Sequence, residues 1–157
     1  MSLKELLSEE RIAIRHNTPA SPLDKPGALH MLATMLAAGA RVDQTAVERV
    51  LVEREQLQST GIGEGVAIPH GALPQLDTQF ASLLIVPEGV EFAAIDGLAV
   101  NILFAVVTPK RASGEHLKTL ARVSRLLRNK AFRERLVSAS SPKEAYDLVS
   151  TEEGDRG

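Results

Sequence analysis

The sequence contains no cysteine. That removes disulfides, thiolate metal sites and thiol nucleophiles, and it suits a reducing compartment, so a cytoplasmic location is expected. Aromatic residues are only 3% of the chain, with no tryptophan and one tyrosine, which leaves few of the stacking platforms that single-strand nucleic-acid binders use. An excess of one charge is also missing. The formal net charge is −2, with both signs scattered along the chain, so there is no basic footprint to neutralise a phosphate backbone and no nucleic-acid partner is expected. Apolar runs such as Ile102 to Val107 fall far short of the ~20 residues a membrane helix requires. The start, "MSLKELLSEERIAIR", lacks the basic head and apolar core of a secretory signal. Neither export nor membrane insertion is expected. No Walker-type "GKS/T" and no HExxH is present, so nucleotide hydrolysis and zinc proteolysis have no support.

What the chain does have is alternating helix and strand patterns within a length of 157 residues, which fits one domain. Leu29, Leu32, Ala33 and Leu36 recur at helical spacing, predicting a helix from Asp24 to Ala38 closed by Gly39. Asp43 reads as the cap of a second helix, with Val47, Val50, Leu51, Arg54 and Leu57 along its stripe. A short strand "VAI" follows, then two strands apolar enough to be buried on both faces, Phe80 to Val86 and Ala99 to Val107. Asp96-Gly97 marks a turn between "VEFAAI" and the second of these, as in a hairpin. Ser113 is expected to cap a helix through Arg128, with Leu117, Leu120, Ala121, Val123 and Leu127 inward and Lys118, Arg122 and Arg125 wet. A last helix begins at "SPKE", with Ser141 as cap, Pro142 in the first turn and Glu144 closing a capping box. With no repeats, low-complexity segments or internal linker, the pattern reads as a single α/β domain over 1–150, a mixed β-sheet of about four to five strands flanked by helices on both faces. Residues 151–157, "TEEGDRG", read as a polar, frayed tail.

One stretch stands apart, "STGIGEGVAIPHGALP". Pro69 has no N–H for a neighbouring strand and forces Ile68 toward extended geometry, so regular pairing should stop and leave His70 at a strand's exit. Gly61, Gly63 and Gly65 permit close approach by another backbone or a partner. On their own, these residues also read as plain turn formers with His70 a passenger. Two other positions favour function. Arg54 on its helix stripe points a guanidinium inward, where it wants an anion. His116 falls in the first turn of its helix, where free N–H groups favour phosphate or carboxylate. A snorkelling arginine and a structural histidine are the bland alternatives, at about even weight. His16 and His30 read as incidental.

These residues carry a resemblance. "ERE…STGIGEGVAIPHG", "AIDGLAVNILFAVVTP" and "GEHLKTLARVSRLLRN", in that order and spanning roughly Leu3 to Val149, resemble the fructose/mannitol-type enzyme IIA domain of the bacterial phosphotransferase system, most nearly its stand-alone nitrogen-regulatory branch. The resemblance implies that His70 accepts a phosphoryl group and that His116 is the second histidine lying against it. It also implies that Arg54 is the arginine near the site, and that Thr60, Gly61 and Glu64 belong to the active-site loop as substrate-binding residues. The implied donor is a small phosphocarrier protein bearing its own phosphohistidine.

The chemistry suits the residues. Neutral imidazole is a nucleophile whose pKa lies near physiological pH, and phosphoryl transfer needs chiefly positioning and charge stabilisation, which His116, backbone N–H groups and Arg54 could supply without a metal or other cofactor. The expectation is a phosphoryl carrier with a regulatory role, acting on a target protein. Three rivals stand beside it: a sugar-permease component passing phosphate to a IIB domain, a non-enzymatic regulatory binding module, and a histidine metal site, the last weak because no ligands sit at paired spacings.

Overall fold

The computed structural model describes residues 2–111 and 113–156. In chain order the elements are α1 (Leu3–Leu6), a single 3-10 turn (Glu9–Arg11), β1 (Ile12–Ile14), α2 (Lys25–Ala40), α3 (Gln44–Leu57), β2 (Gly61–Gly63), β3 (Val66–Ala67), β4 (His70–Leu73), β5 (Phe80–Val90), β6 (Val100–Pro109), α4 (Ser113–Arg128), α5 (Lys130–Val137) and α6 (Pro142–Arg156).

The two long strands organise everything else. β5 and β6 are antiparallel, Leu83 facing Phe104 and Leu84 facing Leu103. Because side chains alternate between faces, Leu83, Ile85, Ile102, Phe104 and Val106 enter one core with α1, α4, α5 and α6. Leu84, Val86, Leu103, Ala105 and Val107 enter a second core with α2 and α3. A sheet buried on both sides explains the unbroken apolar runs. The full sheet has six strands, ordered β1-β5-β6-β3-β2 with β4 also on β6. β1 joins β5 in parallel and β3 joins β6 in parallel, so the sheet is mixed. The fold is the expected α/β domain with helices on both faces, and the strands without a counterpart in the sequence reading are β1, β2 and β4, each of three or four residues and too short to show a period.

Several local expectations need correction. Gly39 does not end α2; the helix runs to Ala40 and stops at Arg41, which takes the left-handed conformation at φ 57°. Gly39 serves a different purpose, because a Cβ there would meet the Arg11 side chain at 2.6 Å. Asp24 and Asp43 do cap their helices, accepting from Gly27 N and Ala46 N. The β5–β6 hairpin closes at Val90 and Val100, so most of "VEFAAI" is loop, turning at Ala94 to Gly97. α5 went unforeseen, although Asn129 caps it by accepting from Phe132 N. Ser141 caps α6 as expected, accepting from Glu144 N, but Glu144 returns to Ser140 rather than to Ser141. Residues expected to fray are helical as far as Arg156, and Glu153 accepts from the N–H groups of Leu3 and Lys4. That contact supplies partners to α1 donors that its own short helix cannot satisfy. No helix among the described residues is long and apolar enough to cross a membrane.

Candidate active site

The site forms where one sheet strand is interrupted. Ala67 pairs with Leu103 and His70 with Val106, so β3 and β4 keep a single register along β6 with Pro69 between them. Pro69 breaks the ladder without shifting it. Its carbonyl still accepts from Val106 N, and Ile68 N turns away to the Thr60 carbonyl. His70 therefore does not leave the sheet, as expected from the proline, but opens a new strand. Parallel partners share a face, so His70 points with Val106 toward the α4 side. The next position points toward α3. A Cβ on Gly71 would lie 2.9 Å from Val50 Cγ2, so glycine lets α3 close on the strand and bring Arg54 to the ring.

His70 is held at both nitrogens. Its Nδ1 lies 2.8 Å from the Ile68 carbonyl oxygen. A carbonyl only accepts, so Nδ1 carries the proton and Nε2 carries the lone pair. Arg54 Nε donates to that Nε2 at 3.2 Å, while Arg54 Nη1 donates to the Gln58 carbonyl at 2.8 Å. Partial burial depresses the His70 pKa below its usual value, opposed by the hydrogen bond to Ile68 and reinforced by the Arg54 charge. The ring is neutral at physiological pH, with its lone pair on Nε2.

His116 approaches from α4. The two imidazole centroids are 5.3 Å apart, their planes tilted by 51°. His116 Nδ1 is buried without a hydrogen-bond partner among the described residues, and burial, helped by neighbouring His70, pushes its pKa down to about 4. A buried polar atom left unpaired in a half-buried ring calls for an explanation in function. The inward stripe of α4 is turned from the one expected: Leu117 is 67% exposed and Ala121 is exposed, while Val123, Leu126 and Leu127 are buried. His116, Leu120, Val123 and Leu127 share the inward line instead. The expected Ser113 cap concerns a side chain outside the described residues.

Beside the His70 ring lies a shallow hollow lined by Arg54, Thr60, Gly61, Ile62, Ile95 and Leu120, among others. Gly61 and Ile62 reach it from β2 of the β2–β3 hairpin, in whose turn Glu64 and Gly65 both have positive φ, 60° and 78°. That pair of values is what a tight two-residue hairpin turn requires. Gly61 sits under the 92–95 loop, where a Cβ would be 2.9 Å from Ala94 Cα. Of the loop residues singled out from the sequence, Thr60 and Gly61 line the hollow. Glu64 does not; it turns at the hairpin tip to pair with Arg133 at 3.2 Å. Leu57, expected on the α3 stripe, is 83% exposed. Its place inside is taken by Glu55, the next inward residue after Val47 and Leu51. Sequence reading passed over Glu55, although its spacing of four from Leu51 was the available signal. His16 and His30 lie on the surface, paired with Glu88 and Glu48, and no group of metal-ligating side chains occurs among the described residues.

A protein that places a neutral, oriented imidazole against an arginine and a second histidine, at the edge of a doubly covered mixed sheet, is built for group transfer. The comparisons agree with that class. Residues 5–152 match the model of the family described as phosphoenolpyruvate-dependent sugar phosphotransferase system, EIIA 2, and the chain belongs to this family. It is 34% identical over 152 residues to a nitrogen regulatory protein of Bradyrhizobium diazoefficiens, covering 96% of this chain and 95% of that one. It is 31% identical over 130 residues to a fructose-specific EIIA component of the phosphotransferase system from Haloferax volcanii, covering 82% and 84%. Among solved structures, the nitrogen regulatory protein IIA-Ntr of Neisseria meningitidis superposes with a TM-score of 0.84 at 29% identity, covering 94% of this chain and 98% of that one.

Proposed function

We propose that this chain carries a phosphoryl group on His70 Nε2, taken from a phosphohistidine on a small carrier protein, and acts as a cytoplasmic regulator through that modification. The observation that supports it most is the hydrogen bond from His70 Nδ1 to the Ile68 carbonyl, because it leaves the other nitrogen as the nucleophile facing the hollow. In the transfer, the Nε2 lone pair forms the new bond to phosphorus while the phosphorus–nitrogen bond of the donor breaks. The donor imidazole leaves with that electron pair. His70 keeps its Nδ1 proton and becomes cationic, and the Ile68 carbonyl stabilises the charge. Arg54, which caps the lone pair before transfer, has its guanidinium within reach of the phosphoryl oxygens after a small swing, and charge-assisted bonds of this kind are the strong ones. His116, neutral at working pH, offers one N–H to the same oxygens. Electrostatic preorganisation of this type lowers the barrier without a metal.

The regulatory role is favoured by the relative that covers nearly the whole chain and bears a regulatory name. The test is incubation with a reconstituted phosphocarrier system, followed by a IIB domain. Wild type should gain one base-stable, acid-labile phosphate at His70 and pass little of it to the IIB domain. His70→Ala should gain none. Label on the His70→Ala protein would overturn the site, and efficient delivery to the IIB domain would replace the regulatory reading with the sugar-transport one.

A further inference from the structure

Beside the transfer site lies a charged pair that no step above uses. Glu55 is buried, yet both of its carboxylate oxygens have partners. Oε1 accepts from Thr60 N at 2.9 Å and pairs with Lys25 Nζ at 2.9 Å, and Oε2 accepts from Thr60 Oγ1 at 2.5 Å. Lys25 continues the network, donating to the Phe92 carbonyl at 3.1 Å with its ammonium 4.5 Å from the Phe92 ring. Ser59 Oγ donates to the same carbonyl, and Ile95 N donates to the Gly61 carbonyl. One carboxylate thus ties Lys25 at the start of α2 to the end of α3, to the approach to the β2–β3 hairpin and, through Lys25, to the 92–95 loop, and the last three of these contribute Arg54, Thr60, Gly61 and Ile95 to the hollow beside His70.

Burying such a pair gives little net stability, since its attraction roughly offsets the desolvation of both ions. Its retention is better explained by what it fixes. The arrangement also reassigns Thr60. A carboxylate only accepts, so the Thr60 hydroxyl and amide protons are both committed to Glu55 and cannot be given to a phosphoryl oxygen. Thr60 faces the hollow with its donors turned away. Arg54 precedes Glu55 directly, so the residue that anchors the hairpin and the residue that caps His70 are set by the same turn of α3.

We propose that Glu55 is a positioning residue for phosphoryl transfer at His70, acting through Thr60 and Lys25 to hold the hairpin and the 92–95 loop in the geometry the incoming phosphohistidine must meet. This rests on His70 being the acceptor. A displacement of about 1 Å at such a site costs ~10²-fold in rate, and loosening this clamp should cost at least about tenfold.

The experiment is single-turnover transfer from phosphorylated carrier protein at saturating concentration, with nuclear magnetic resonance titration of the His70 ring in parallel. It uses wild type, Glu55→Gln, Thr60→Val, Thr60→Ser and the double variant Glu55→Gln/Thr60→Val. Glu55→Gln and Thr60→Val should each slow transfer by about tenfold or more, Thr60→Ser should keep the wild-type rate, and the double variant should be no slower than its slower parent. Loss of the Glu55 charge should lower the His70 pKa, since that carboxylate raises it, whereas Thr60→Val should leave it in place. Wild-type rates in folded Glu55→Gln would overturn the proposal, as would losses that simply multiply in the double variant. If Glu55→Gln fails to fold, the contrast between Thr60→Val and Thr60→Ser decides, and equal rates in those two overturn it. Failure of wild type itself to label at His70 would instead remove the reading beneath.

Discussion

Acidification should destabilise this protein through His116 in a defined window. Burial and the neighbouring His70 hold the native His116 pKa near 4, against 6.5 for the unperturbed side chain. Below pH 6.5 the unfolded chain takes up a proton that the native ring refuses until about pH 4. Stability from this group is therefore complete above pH 6.5, is lost as the pH falls, and levels off below about 4. The drop from 6.5 to about 4 corresponds to roughly 3 kcal/mol, and solvent screening of a half-buried ring reduces the expectation to about 1–2 kcal/mol. Urea denaturation of wild type and His116→Gln at intervals between pH 7 and pH 4 measures it, since the carboxylates common to both cancel in the difference. Wild type should lose about 1–2 kcal/mol more than the variant over that range. Parallel curves, or a directly titrated His116 pKa at or above 6, would refute the account. The same reasoning predicts that a phosphoryl dianion on His70 raises the His116 pKa, because a nearby negative charge favours the imidazolium.

Two further outcomes follow from the packing around the hollow. Arg54→Gln should slow phosphoryl acceptance by about a hundredfold, the cost of losing one preorganised charge-stabilising donor, and Arg54→Lys should restore little because an ammonium cannot serve His70 and Gln58 with the same planar fork; quenched-flow labelling measures both. Gly61→Val should cost ~1–3 kcal/mol in urea, because the Ala94 backbone leaves its Cβ no room; an unchanged midpoint would show that the hairpin and the 92–95 loop move apart freely.

The parts of the fold that were legible in sequence were those with a long period or a specific cap. Asp24 and Asp43 announce their helices because a short carboxylate a turn ahead of an apolar stripe can accept from the free N–H groups of the first helical turn. β5 and β6 declare themselves by apolar length, since only a strand covered on both faces needs to be apolar on both. α1 and β1 gave no comparable signal, because elements of four and three residues are too short for any period. α4 shows the limit most clearly. Two apolar lines run along its surface, one through Leu117 and Ala121 and one through Leu120, Val123 and Leu127, and only packing against the sheet chose the second.

Within the site, the sequence by itself determined which chemistry was available. A chain without thiols or a nucleotide-binding loop, with histidine set between proline and glycine, offers imidazole chemistry at that position, and Pro69 guarantees an interruption in the strand that carries it. Tertiary structure alone decided which nitrogen of His70 carries the lone pair and what surrounds it. The Nδ1 proton is assigned by the Ile68 carbonyl, the two imidazoles meet only because α4 packs on the face of the sheet that His70 shares with Val106, and Glu55 is inside because α3 lies close enough for Lys25 to reach it. Hydrogen-bond direction and burial arise from groups far apart in the chain, so no local pattern encodes them.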